Sequence, residues 1–164
     1  MNLRVYVIGL FTFLLSAPAF AQTSKSIELG TSLSELKCKA SDRFLIIISH
    51  GSMIEGCKCS YDSMNYVVGV NPQNEIVFVS ISDTNFIIEG IKYLKIKFKD
   101  LDEKVKSYIK YELPFAYYVS IDDEWFLAYS SNDTFVKNGK GFIKENALPK
   151  FAFKRTDISK SSSN

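Results

Sequence analysis

The sequence predicts an α+β fold: an antiparallel sheet with two short helices packed on one face, read further as two strand–helix–hairpin pseudo-repeats. Three observations lead there. Apolar runs rich in β-branched residues occur without helical period, as in Phe44-Leu45-Ile46-Ile47-Ile48. Turn-forming clusters separate pairs of such runs. Two capping patterns, Ser32-x-x-Glu35 and Asp100-x-x-Glu103, each precede a stretch with apolar residues at helical spacing.

Taken in order, residues 26–29 read as a short strand ending at Gly30. The capping box at Ser32 opens a brief helix with Leu33 and Leu36 on one face, ending near 37–40. Residues 43–49 form a buried strand. Residues 66–70 and 76–81 form a hairpin about Asn71-Pro72-Gln73-Asn74, and the weak alternation in 76–81 implies cover on both faces. Residues 91–98 read as an extended segment with Lys92, Lys95 and Lys97 on its wet side. The Asp100 cap then opens a second helix, with Leu101, Val105, Tyr108 and Ile109 as its apolar stripe and Asp102–Lys106 as an i,i+4 pair. Pro114 stops it. Residues 115–121 and 125–129 flank Asp122-Asp123-Glu124 as a second hairpin, and 151–154 is a late strand. The expected organisation is a signal segment at 1–21, one domain over 22–158 with pseudo-repeats at 26–84 and 90–154, and a frayed polar tail at 159–164.

Composition limits the function classes. Of 164 residues 46% are apolar and 23% charged, with a net charge of +2, which describes a folded domain and gives no electrostatic case for nucleic acid. Arg4, the apolar run 5–15 and the Ala19-x-Ala21 cleavage pattern form a secretory signal, too short and too early broken by Pro18 to act as a membrane anchor. No other stretch has membrane-spanning length. The mature protein is therefore expected in a periplasm or outside the cell. There an oxidising environment favours a disulfide, and Cys38 has two candidate partners, Cys57 and Cys59, which share a face if they lie on a strand. Either bridge closes a loop of about twenty residues, worth ~3 kcal/mol on a chain-entropy account.

The run Ile27-Glu28-Leu29-Gly30-Thr31-Ser32-Leu33-Ser34-Glu35-Leu36 resembles the opening of small periplasmic modules of the SmpA/OmlA type, where a similar pattern leads into a helix and antiparallel strands. Residues 90–131 look like a second such module, ending in a hairpin that contains Trp125. Tandem copies of this architecture occur in β-lactamase inhibitory proteins. The resemblance implies a non-enzymatic periplasmic binding module.

The chain offers little catalytic chemistry. His50, in Ser49-His50-Gly51-Ser52, has neighbouring serines whose side chains diverge from it and lacks a nucleophile elbow, so it reads as a turn residue. Cys57-x-Cys59 lacks the spacing of an activated redox pair, and His50 with three cysteines makes a poor zinc set. Asp122, Asp123 and Glu124 lack the ligand spacing of a calcium loop. Gly139-Lys140-Gly141 matches no phosphate-binding fingerprint. No cofactor or metal is expected. The remaining candidate surface is the hairpin tip Asp122, Asp123, Glu124, Trp125 and Phe126, where acids keep the turn solvated and aromatics supply contact area; against it stands the reading of Trp125 as core. The function expected is an exported protein-binding module, of the inhibitor or immunity type acting on a secreted enzyme. A cell-envelope assembly factor is the alternative, and a small hydrolase using His50 the third reading.

Overall fold

A computed structural model of the chain describes residues 24–36, 38, 43–49, 52–112 and 115–156. The expected signal segment, His50, Pro114 and the polar tail lie outside the described residues. Among the described residues there are ten strands: β1 (Phe44–Ser49), β2 (Ser52–Tyr61), β3 (Met64–Val70), β4 (Ile76–Ile81), β5 (Ile109–Glu112), β6 (Ala116–Ser120), β7 (Phe126–Ala128), β8 (Thr134–Lys137), β9 (Lys140–Ile143) and β10 (Phe151–Arg155). Eight form one antiparallel sheet in the order β1-β2-β3-β4-β10-β7-β6-β5, curved into a half-barrel, and β8 with β9 makes a separate hairpin.

This corrects the α+β expectation. The protein is mostly β, and among the described residues no helical layer covers the sheet. At Ser32 only one 3-10 turn forms, Leu33–Glu35. The Ser32 hydroxyl meets Ser34 at 2.8 Å instead of capping the backbone, and Ser32 bridges Glu75 as an isolated β contact. Leu33 alone is buried there, too small an apolar face to hold a helix. In the second case the helix α1 spans a single turn, Glu103–Lys106, and its cap is Asp102, which accepts from the Lys104 amide at 2.8 Å. Lys106 pairs with Glu103 at 2.6 Å and not with Asp102. Leu101 and Val105 are buried, but Tyr108 is 62% exposed and Ile109 already belongs to β5. Ladder pairing of Ile109–Glu112 with β6 outweighs the local helical period.

Two extended segments also differ. Residues 91–98 form the 3-10 turns Tyr93–Lys95 and Phe98–Asp100, and 26–29 crosses the sheet without joining a strand ladder. The strands expected near 43–49, 66–70, 76–81, 115–121, 125–129 and 151–154 form as β1, β3, β4, β6, β7 and β10, but β1, expected to be buried, is an edge strand with Phe44, Leu45 and Ile47 exposed. Of the expected pseudo-repeats the first has only a 3-10 turn and the second only the single turn α1, while β2 is added to the first and β5, β8 and β9 to the second.

Alternation divides the sheet into two faces. On the convex face Cys57, Cys59, Tyr66, Val68, Val79, Ile81, Ala152, Leu127 and Val119 pack beneath the irregular segments, which insert Ile27, Leu33, Phe86, Ile88, Leu94, Leu101 and Ala147. On the concave face Phe78, Phe115, Tyr118, Phe126, Phe151 and Phe153 form one aromatic cluster, with Phe115 and Phe153 stacked at 4.5 Å. Ile46 and Ile54 fold over Gly56 and Gly69, where any Cβ would collide with the isoleucine side chain. Arg155 of β10 donates to the Ile48 carbonyl at 2.9 Å and to Glu112 at 2.8 Å, so it touches both edge strands. On a flat sheet β1 would lie four strand spacings away, roughly 19 Å. The contact therefore requires the sheet to curl.

Candidate functional site

Within β10 the alternation that buries Ala152 also turns Lys154 to the convex face, where it is 1% exposed. A buried ammonium needs acceptors for its three protons. Lys154 Nζ finds Ser26 Oγ at 3.2 Å, Glu28 at 3.4 Å and Glu124 at 3.6 Å, and it stands 5.3 Å from the centre of the Trp125 ring. Trp125, only 4% exposed, leans on Phe86 with ring centres 5.0 Å apart.

Three segments place these groups. Ser24 exchanges hydrogen bonds with Ile87, and Tyr66 donates its hydroxyl to the Lys25 carbonyl at 2.9 Å; together they fix the N-terminal segment that brings Ser26 and Glu28. Burial, with lesser effects of Asp62, Tyr61 and Asp83, pushes the Tyr66 hydroxyl up to about 12. In the β6–β7 turn the Asp122 carboxylate accepts from the amides of Glu124 and Trp125 at 2.8 and 2.6 Å, and Ser120 donates to the Asp122 carbonyl at 2.6 Å. This side-chain-closed turn aims Glu124 at Lys154 and seats Trp125. The third segment is the tight turn Ile88-Glu89-Gly90-Ile91, where Glu89 and Gly90 both have positive φ.

Together they enclose an open cleft of about 460 Å³, lined by Lys25, Glu28, Tyr61, Glu89, Asp122 and Glu124 with Trp125 as its wall. Glu28, Glu89, Asp122 and Glu124 line it with Lys25, so the recess is acidic, and the buried Lys154 ammonium lies behind Glu28 and Glu124. Glu28 and Glu124 remain 71% and 64% exposed, and each keeps oxygen lone pairs toward water. The arrangement is suited to receiving a cationic group. Among the described residues no cluster of three His, Cys, Asp or Glu is placed to hold a metal ion.

Of the five tip residues, Asp122, Glu124 and Trp125 line this cleft. Asp123 faces a neighbouring hollow beside Lys104, Tyr108 and Lys110, and Phe126 turns to the concave aromatic cluster. Trp125 thus belongs to the core while one side still borders the cleft. Lys154, Glu28, Ser26 and Glu89 were not among the candidates. A lysine in phase with Ala152 on a short aromatic strand was the available sign, because alternation turns both inward. Cys38 is bonded to Cys59, with Cα atoms 4.5 Å apart, and Cys57 keeps a free buried thiol whose pKa burial raises. The bridge ties the segment after the 3-10 turn to β2.

Compared with known proteins, the chain matches no family model, no curated protein and no solved structure. No helix among the described residues is long and apolar enough to cross a membrane, which leaves strand-built spans unaddressed.

Proposed function

We propose that the protein is an exported, non-enzymatic binding module of the inhibitor or immunity type, and that its cleft over Lys154 receives a basic side chain of a protein partner. One observation carries this reading: Glu28 and Glu124 are held apart by a shared, fully buried ammonium. They are thereby oriented before any partner arrives, which lowers the ordering cost of binding. A guanidinium entering the cleft meets the carboxylates of Glu28 and Glu124, with Trp125 as apolar wall beside them. The disulfide supports export, since such bonds persist in oxidising compartments.

The test is affinity capture from culture medium and envelope extract, repeated with Glu28→Gln/Glu124→Gln at matched melting temperature. The reading expects a captured protein whose binding weakens at least tenfold in the variant and falls with added salt. Capture that is indifferent to both changes contradicts it.

A further inference from the structure

The β8–β9 hairpin stands outside the eight-stranded sheet and carries an arrangement that the cleft does not use. Its turn, Asn138-Gly139, has φ of +53° and +74°, the two-residue geometry that this dipeptide favours. Register pairs Phe135 with Phe142 and Lys137 with Lys140, so all four side chains share one face. The two rings stack at 5.4 Å and remain 46% and 37% exposed. Both lysines are exposed, and among the described residues neither forms an ion pair. The opposite face packs Gly141 against the Tyr117 ring, yet Val136 on that face is 65% exposed. Tyr111, in contact with Tyr117 at 5.0 Å and 60% exposed, extends the aromatic surface toward β5.

We propose that this hairpin docks the protein on an anionic lipid surface. The exposed rings and Val136 leave apolar surface on the hairpin with the lysine pair beside its turn, while the face opposite the rings rests on Tyr117. Aromatic rings at headgroup depth flanked by lysines match the chemistry of that layer, and the two free ammonium groups complement its negative charge. The site is distinct from the acidic cleft and binds charge of the opposite sign.

The experiment is co-sedimentation of the purified protein with phosphatidylcholine vesicles, with and without phosphatidylglycerol. Two variants are compared, Phe135→Ser/Phe142→Ser and Lys137→Gln/Lys140→Gln, with the emission of Trp125 as a check on folding. The lysine variant sits wholly on the surface, so it keeps the test decisive should the ring variant unfold. Binding to the anionic vesicles only, reduced roughly tenfold or more by the lysine variant and abolished by salt, is the expected result. Absence of vesicle binding, equal binding to neutral vesicles, or binding that survives the lysine variant overturns the proposal. So does a hairpin that binds an acidic protein and no vesicle.

Discussion

Lys154 shows how one residue can be both core and site. Its stem lies among apolar neighbours, while its ammonium orients two carboxylates that remain largely in water. Removing the charge therefore strands no buried partner, unlike the usual broken ion pair. Lys154→Met, which keeps the length of the side chain, is expected to change stability by no more than about 1 kcal/mol in denaturant unfolding while weakening partner capture. A loss of several kcal/mol would show that the ammonium is structural. Burial, as the largest cause, holds the Tyr66, Tyr93, Tyr118 and Tyr129 hydroxyls above their ordinary pKa, Tyr66 up to about 12. The folded state then retains protons that the unfolded chain gives up above about pH 10. Stability from this source is complete below pH 10 and is lost as pH rises toward 12, and Tyr66→Phe should flatten part of that loss in unfolding curves taken across the interval.

Turn and strand elements differ in how far local sequence specifies them. Asn71 accepts from the amides of Gln73 and Glu75, so the β3–β4 hairpin was legible from its residues. The β2–β3 hairpin was not, because Asp62 and Ser63 both adopt positive φ, +48° and +65°, without a glycine to announce it. Replacing Asp62-Ser63 by Asn-Gly should relieve that strain and raise stability by ~1 kcal/mol, read from the shift in melting temperature. Asn138-Gly139 did carry the hairpin signal for β8–β9, but reading Gly139 and Gly141 against phosphate loops passes over it. At 101–109 local pattern and long-range pairing disagreed. Leu101, Val105, Tyr108 and Ile109 have helical spacing, yet Ile109 reaches its burial by pairing opposite Val119, a contact that no local window contains.

At the scale of the molecule, the strand order is symmetric about the β4–β10 seam, with β1–β4 on one side and β5, β6, β7 and β10 on the other. Curvature draws the outer edges together at Arg155, whose guanidinium bonds Glu112 through both nitrogens, at 2.8 and 2.5 Å, and stands 5.4 Å from the centre of the Phe115 ring. Glu112 also accepts from Tyr118 at 3.0 Å, and it and Arg155 are 10% and 19% exposed. Arg155→Leu removes the paired guanidinium from that half-buried carboxylate and is expected to cost about 3 kcal/mol. Arg155→Leu/Glu112→Leu should recover much of the loss, which chemical denaturation of the pair will show. The closure was illegible in the sequence, since Arg155 and Glu112 are joined only by the curl of the sheet. The candidate site was half legible: the turn at Asp122 was visible as a turn with aromatics, whereas Ser26, Glu28 and Lys154 meet it only in the fold.

On the proposed function, the cleft beside Glu28 and Glu124 receives a basic side chain. Trp125 is the single tryptophan of the chain and borders the cleft, so its emission senses occupancy of this site in the folded protein. Titration at low ionic strength with an arginyl tripeptide should give a saturable change in that emission, absent with a glutamyl tripeptide and lost in Glu28→Gln/Glu124→Gln. An unchanged spectrum with the arginyl peptide, or an equal response to both peptides, would contradict the account.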